Sequence, residues 1–301
     1  MNSARLRRPL LIAATALAVA IAVVVAFDVT RASSTPAAHL RALATVAAPN
    51  TQASLRSISP DHGSLAGGEK VTLIGKNLAG VTAVTFGANK VSELQHVDDT
   101  TITLAVPSVT NYVASAVTVA VSTTGQSDPN AAGLTYTYQV ETNVDRQMQY
   151  LFTYWDNYNV AQYGDFNDIG GDCANFVSQS LVARGWAMTD DWYSYDGGSS
   201  WGGPWGYVPD LDDWLSSHPE TGATELSLQQ RDQVKVGDLV IFDWDNDGSR
   251  DHVQVVSSVA VVDGVTKIEM VGHNTDSDYR DLDTAITVDH PGATAHFWSL
   301  P

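Results

Sequence analysis

The chain has 301 residues, of which 44% are hydrophobic and 17% are charged, so it can bury one large core or two ordinary ones and cannot be disordered throughout. Its formal net charge of −18 repels phosphate backbones and argues against nucleic acid as a partner. The single cysteine, Cys173, excludes an internal disulfide and is either a small buried side chain, an intermolecular linker or a nucleophile.

The first 31 residues have the composition of a targeting segment. Arg5, Arg7 and Arg8 precede an unbroken run of apolar or small residues from Leu10 to Phe27. Its length fits both a secretory signal and a membrane-spanning helix. We therefore expect an N-terminal apolar helix over residues 1–31, either a cleaved signal peptide or a membrane anchor. In both cases the rest of the chain lies outside the cell, and only this segment touches the membrane.

Residues 32–54 are rich in Ala, Ser, Thr and Pro and are predicted to be a linker. From Leu55 to Gln139, short alternating runs separated by Gly, Asn and Pro predict an all-β sandwich. The predicted strands are 71–74, 81–86, 101–106, 116–121 and 134–138. The pattern Ile58-Ser59-Pro60, Gly67-Gly68, 71–75 and 84–87 resembles the immunoglobulin-like IPT/TIG domain. Few aromatic residues and no catalytic constellation favour a spacer over an adhesive role.

A second domain is predicted over residues 143–301. It begins with helical spacing in Met148, Leu151, Phe152 and Trp155, and it contains all eight tryptophans. Asp172 can cap a helix that starts at Cys173 and ends before Gly185. In the first turn of a helix the dipole and free N–H groups favour a thiolate, so we expect Cys173 to be an activated nucleophile.

A thiolate nucleophile needs a base, and the base needs an orienting group. His252 has the best context, because it opens a predicted strand, 253–262, that follows the strand 239–244. The turn Asp263-Gly264 predicts a hairpin with a further strand, 267–271, which would bring His273 and Asn274 near His252. Either side chain could orient the imidazole, and Asp251 could tune it.

Three blocks, 172–179, 237–244 and 251–253, resemble an amidase-domain family akin to the NlpC-type and CHAP cysteine hydrolases. The resemblance implies an α+β papain-like domain in which a helix carries the nucleophile Cys173 and an antiparallel sheet carries the base His252. It leaves the third catalytic member open between His273 and Asn274. No cofactor is implied.

Two further stretches have open interpretations. Asp243, Asp245, Asp247 and Asp251 resemble the start of a calcium loop, but Gln254 replaces the bidentate Glu at its end, so a solvated turn is favoured over a metal site. The aromatic, glycine-rich stretch 192–214 can line a substrate cleft or cover the core.

The sequence therefore predicts an exported or membrane-anchored cysteine hydrolase of amide bonds, with cell-wall peptide or peptidoglycan as substrate. The alternative is an inactive cell-surface binding or adhesion protein that uses both domains.

Overall fold

A computed structural model describes residues 52–124, 126–128 and 133–301. These residues belong to one compact unit. The predicted N-terminal apolar helix and nearly all of the predicted linker lie outside the described residues. Within the described ranges, no helix combines the length and the apolar character that crossing a membrane requires.

The first domain is a sandwich of two sheets, as its alternating pattern predicts. Its strands are β1 Ser54–Ser59, β2 His62–Ser64, β3 Lys70–Lys76, β4 Val81–Phe86, β5 Asn89–Val91, β6 Gln95–Asp98, β7 Thr101–Ala105, β8 Ser115–Thr123, β9 Gln126–Asp128 and β10 Thr135–Gln139. One sheet has the order β1-β3-β7-β6; the other has the order β2-β10-β8-β4-β5, with β9 beside β8. Alternate residues such as Leu73, Phe86 and Tyr136 are fully buried between the sheets.

The second domain packs helices against an antiparallel sheet. Its elements are α1 Asn143–Tyr154, α2 Val160–Tyr163, α3 Cys173–Arg184, β11 Ser194–Tyr195, β12 Ser200–Trp201, α4 Gly203–Gly206, α5 Val208–Ser217, β13 Thr224–Ser227, β14 Leu239–Asp243, β15 His252–Val262, β16 Val265–Gly272, β17 Ser277–Asp281, α6 Leu282–Thr284 and β18 Thr294–Ser299. Six of these strands form one sheet in the order β13-β18-β14-β15-β16-β17.

The two faces of this sheet bury different clusters, because successive side chains along a strand point to opposite sides. One face carries Leu239, Ile241, Val253, Val255 and Val271 and shares a cluster with α1 and α3. The other face carries Val240, Phe242, Val256, Met270 and Phe297 and is covered by Leu282, Ala285 and Ile286. The helix that starts at Cys173 therefore lies on one defined face.

The sandwich is docked on the second domain through buried polar contacts. Asp145, which is fully buried, accepts hydrogen bonds through Oδ1 from Ser64 Oγ (2.7 Å) and the backbone N–H of Ala66 (2.9 Å). Tyr112 packs its ring on Phe152 with centroids 4.9 Å apart and donates its hydroxyl hydrogen bond to the carbonyl of Ser257. The sandwich and the second domain are therefore joined by buried contacts.

Candidate active site

Cys173 is the first residue of α3, as predicted. Gly170 and Gly171 have φ values of 133° and 124°, which allow the chain to turn sharply into the helix. Gly185, with φ 110°, ends the helix, and the N–H of Trp186 then bonds to the carbonyl of Leu181. Every residue from Cys173 to Leu181 is buried, so α3 is enclosed on all sides rather than on one face.

Two tryptophans of the stretch 192–214 hold the buried polar face of α3. Trp205 Nε1 donates to Asn175 Oδ1 (2.7 Å), and Trp192 Nε1 donates to Ser178 Oγ (3.0 Å). Both indole rings are fully buried. The tryptophans therefore belong to the core, while Tyr195 and Tyr207 of the same stretch are more than half exposed.

Asp172 lies at the helix start, but its side chain makes no capping bond to α3. Its Oδ1 instead accepts the N–H of Phe166 (2.9 Å) and Nδ2 of Asn175 (2.8 Å), and its Oδ2 lies 2.5 Å from His273 Nδ1. The carboxylate thus connects the preceding loop, the helix and the residue that follows β16. The predicted capping role is wrong because this carboxylate is turned towards His273.

His273 is a buried structural residue in this geometry. Its Nε2 lies 2.9 Å from the carbonyl oxygen of Tyr154, and its ring is stacked between Tyr158 and Phe176 at centroid distances of 3.6 and 3.7 Å. Both ring nitrogens therefore have an oxygen partner, a carboxylate on one side and a carbonyl on the other. With both nitrogens occupied, His273 does not orient His252, contrary to the expectation.

Asn274 contacts the start of α3 instead of His252. Its Oδ1 accepts the backbone N–H groups of Asp172 (2.6 Å) and Cys173 (2.8 Å), and its Nδ2 donates to Asn167 Oδ1 (2.5 Å). Its φ of 64° turns the side chain towards Gly171. A side-chain amide oxygen is therefore held by two backbone donors beside the thiol.

His252 lies at the start of β15, as predicted, but on the face of the sheet that α3 does not cover. It is paired with Phe242, and its ring lies near Phe242 and Trp244, at centroid distances of 6.0 and 5.6 Å. Its Nε2 is buried without a hydrogen-bond partner. Burial, and then the nearby charges of Arg280 and His290, lower the pKa of His252 to about 3.

The predicted dyad is consequently not assembled in this structure. Among the hydrogen bonds of the described residues, none joins Cys173 Sγ to His252. Cys173 packs with the cluster of Ile241 and Val253, whereas Phe242, the strand partner of His252, belongs to the opposite cluster. Because neighbouring residues of a strand face opposite sides, the single step from His252 to Val253 separates the two groups.

Burial also reverses the expected acidity of the thiol. Cys173 is only 7% exposed. Desolvation raises the pKa of Cys173 to about 11, and backbone hydrogen bonding from Val253 and Ala174 offsets only part of that rise. The helix start alone was expected to lower the pKa of this thiol, but removal from water is the larger effect here.

The acidic loop between β14 and β15 is closed by its own hydrogen bonds. Asp243 accepts the N–H groups of Asp247 (3.1 Å) and Gly248 (2.9 Å), and Asp251 Oδ2 accepts the N–H of Trp244 (2.6 Å). One carboxylate oxygen each of Asp243, Asp245 and Asp247 lies within 4.8 Å of the other two, but Asp251 is not in that group. Gln254, at the last position of the calcium-loop pattern, lies fully buried in β15. The loop therefore has the geometry of a turn that joins two strands.

One polar cluster was missed by sequence reasoning. Asp212 of α5 accepts from His296 Nε2 (2.7 Å), Trp298 Nε1 (2.7 Å) and Arg250 Nε (3.0 Å). His296 is paired with Ile241, so it shares the sheet face on which Cys173 packs. The sequence signal for this cluster was the spacing of His296 and Trp298, because residues two apart in a strand lie on the same face.

Cys173 thus stands at the first position of a buried helix that packs on an antiparallel sheet. The chain belongs to the family described as "Putative amidase domain", which matches residues 141–298, just over half of its length. Residues 53–138 match the IPT/TIG domain. Both resemblances predicted from the sequence, and their order along the chain, are confirmed.

Other proteins match only in part. The uncharacterized protein YhbB of Bacillus subtilis strain 168 is 28% identical over 115 residues, which cover 36% of this chain and 35% of that relative. The chain therefore matches about a third of this curated relative.

Two solved structures also match this chain at low TM-scores. The extracellular region of plexin A4 is 23% identical, with a TM-score of 0.26, over 29% of this chain and 8% of that one. The Bacteroides ovatus glucan-utilization protein SGBP-B, in complex with a mixed-linkage heptasaccharide, is 11% identical, with a TM-score of 0.21, over 80% and 48% of the two chains. TM-scores this low support no argument about the present fold.

Proposed function

We propose that this protein is a cysteine hydrolase of amide bonds that acts outside the cell, with Cys173 as nucleophile and His252 as base in a papain-like domain. The observation that carries the proposal is the corner beside Cys173, where two adjacent backbone N–H groups already bind an amide oxygen, that of Asn274. Donors in such a position stabilise the negative oxygen that forms when a thiolate attacks a carbonyl.

The base can reach the thiol only if the start of β15 turns over, because His252 and Cys173 lie on opposite faces of the sheet. His252 is next in sequence to Val253, whose backbone interacts with the Cys173 sulfur, and its Nε2 has no bond to break. Without substrate, catalytic hydrogen bonds are often long or poorly aligned and tighten only when substrate binds. In the resting protein the lowered pKa keeps His252 neutral but makes it a weak base, so the movement must also raise its pKa before it can take the thiol proton.

The reaction then starts from a neutral pair rather than a preformed thiolate. His252 takes the proton of Cys173 as the sulfur bonds to the substrate carbonyl carbon, and the N–H groups of Asp172 and Cys173 hold the oxyanion. The C–N bond breaks as the protonated imidazole gives its proton to the departing amine. Water, deprotonated by His252, hydrolyses the thioester and restores the thiol.

The proposed substrate is a cell-wall peptide, most simply the stem peptide of peptidoglycan. The basic and apolar leader supports an outside location for both domains, either secreted or anchored through that segment. The acidic net charge argues against nucleic acid.

The test compares the release of stem-peptide fragments from purified cell wall by the wild type and by Cys173→Ala. We expect release by the wild type and none by the variant, with His252→Gln also inactive but folded. Equal release by wild type and Cys173→Ala would remove Cys173 as the nucleophile.

A second function, a cell-surface binding protein without activity, is favoured by one observation: His252 and the buried thiol are apart. Such a protein would associate with cell wall equally in wild type and Cys173→Ala and would cleave with neither.

A further inference from the structure

The Asn274 side chain fills the corner beside Cys173 as a complete carboxamide. Its oxygen is held by the N–H groups of Asp172 and Cys173, and its nitrogen is held by the Asn167 side-chain oxygen at 2.5 Å. Both ends of an amide group are therefore recognised, the carbonyl by donors and the nitrogen by an acceptor. A substrate amide in this position would need the same two kinds of partner, donors for its oxygen and an acceptor for its N–H.

The surroundings of Asn274 leave room for exchange. Asn274 is exposed and lies in the turn between β16 and β17, whereas the groups that bind its amide oxygen belong to the buried start of α3. A Cβ added at Gly171 would lie 3.1 Å from Asn274 Oδ1, so the glycine provides the space that the carboxamide occupies. The Asn274 carboxamide thus belongs to a surface turn, whereas the two backbone donors that bind its oxygen belong to the buried start of α3.

We propose that Asn274 is an internal stand-in for the substrate amide, and that Asn167 is a positioning residue that accepts the N–H of the scissile amide once Asn274 has moved away. This inference rests on the proposed function and names the amide class that the site takes: one with at least one N–H, a secondary or primary amide, rather than a tertiary amide. In the resting protein Asn274 competes with that amide for the same donors and acceptor.

The experiment uses alkylation of Cys173, which needs no turnover. Iodoacetamide and N,N-dimethyliodoacetamide share a reactive carbon and a carbonyl, but only the first has N–H groups for Asn167. Rates with each reagent are divided by the corresponding rates with glutathione, and the ratio of the two normalised rates is the selectivity. Asn274→Gly vacates the subsite, and glycine accepts the φ of 64° at this position without strain.

We expect a selectivity near one in the wild type and a rise of about fivefold to tenfold in Asn274→Gly, as one hydrogen bond would give. Adding Asn167→Ala should return the selectivity to near one, which a purely steric effect of the larger reagent would not do. Thr275→Gly is the matched control, because it loosens the same turn and leaves the Asn274 carboxamide in place.

An unchanged selectivity in folded Asn274→Gly overturns the inference. Failure of Asn274→Gly to fold, judged by circular dichroism and thermal unfolding, also overturns it, because Asn274 would then be an indispensable cap of α3. If selectivity appears but Cys173→Ala cleaves cell wall as well as the wild type, the proposed hydrolysis fails and the subsite stands. If the wild type cleaves cell wall and Cys173→Ala does not, but Asn274→Gly shows no selectivity, the proposed hydrolysis stands and the subsite fails.

Discussion

At the scale of single residues, burial decides the chemistry of the site. Cys173, Asp172, His252 and His273 are all less than 10% exposed, yet their surroundings differ. Asp172 and His273 satisfy each other within a network, whereas the thiol of Cys173 and Nε2 of His252 have no charged partner. The pair of Asp172 and His273 is therefore expected to stabilise the fold, whereas the Cys173 thiol and the His252 imidazole are not tied into an ion pair.

The thiol of Cys173 should be slow towards alkylation in the wild type. With its pKa raised to about 11 by burial, the thiolate fraction at pH 8 falls roughly 100-fold below that of a free thiol of ordinary pKa. Mass spectrometry of iodoacetamide-treated protein, with glutathione as the reference, measures the rate. A faster reaction than glutathione at pH 6 would contradict this expectation.

His252 should make stability depend on pH below neutrality. Its pKa falls from about 6.5 in the unfolded chain to about 3 in the folded protein. Between these pH values the unfolded chain binds more protons, so the free energy of unfolding decreases as the pH is lowered. Relative to His252→Gln, the wild type should lose about 2 kcal/mol between pH 7 and pH 5.

Urea denaturation of both proteins at several pH values measures this difference. Parallel curves for wild type and His252→Gln across this range would show that the side chain is not buried as described.

At the scale of elements, α3 is the part that the sequence predicted best. Cys173 as first residue and Gly185 as stop follow from local rules, glycine flexibility at the ends and apolar spacing between them. The strands β14, β15 and β16 were also predicted within a few residues of their observed bounds. The side chains that surround α3 were not predicted. Trp192 and Trp205 follow α3 in the sequence, and only the tertiary structure shows that they pack on it.

Asn175 should be essential for the placement of α3. Asn175→Ala removes the acceptor of Trp205 Nε1 and a donor to Asp172, both buried, and should lower the free energy of unfolding by about 2 to 4 kcal/mol. Gln149→Ala, at an exposed position of α1, is the control and should change it by less than about 0.5 kcal/mol. Chemical denaturation measures both, and equal effects would argue against this role.

At the scale of the whole molecule, the two domains share a buried interface. Asp145 joins the capping box of α1 to Ser64 and Ala66 of the sandwich, and Tyr112 of the sandwich reaches the backbone of β15. The sandwich thus supports α1 and β15, both of which pack against α3.

The two domains should consequently unfold together. Asp145→Ala leaves four buried or partly buried donors without their acceptor and should destabilise the protein by about 3 kcal/mol or more. Ser64→Ala removes one of the four bonds and should cost about 1 kcal/mol. Calorimetry of residues 52–301 should give a single transition that shifts in both variants. Two transitions, with the sandwich unaffected by Asp145→Ala, would show independent domains.

The sequence by itself determined the order of the domains, most strands and the position of Cys173 at a helix start, because these depend on patterns within a few neighbouring residues. Only the tertiary structure decided which groups surround Cys173. Strand register places Val253 rather than His252 on the face of α3, the φ of Asn274 directs its amide to the N–H groups of Asp172 and Cys173, and enclosure by the surrounding core raises the pKa of the thiol. These outcomes depend on residues up to about a hundred positions apart, which no local pattern relates.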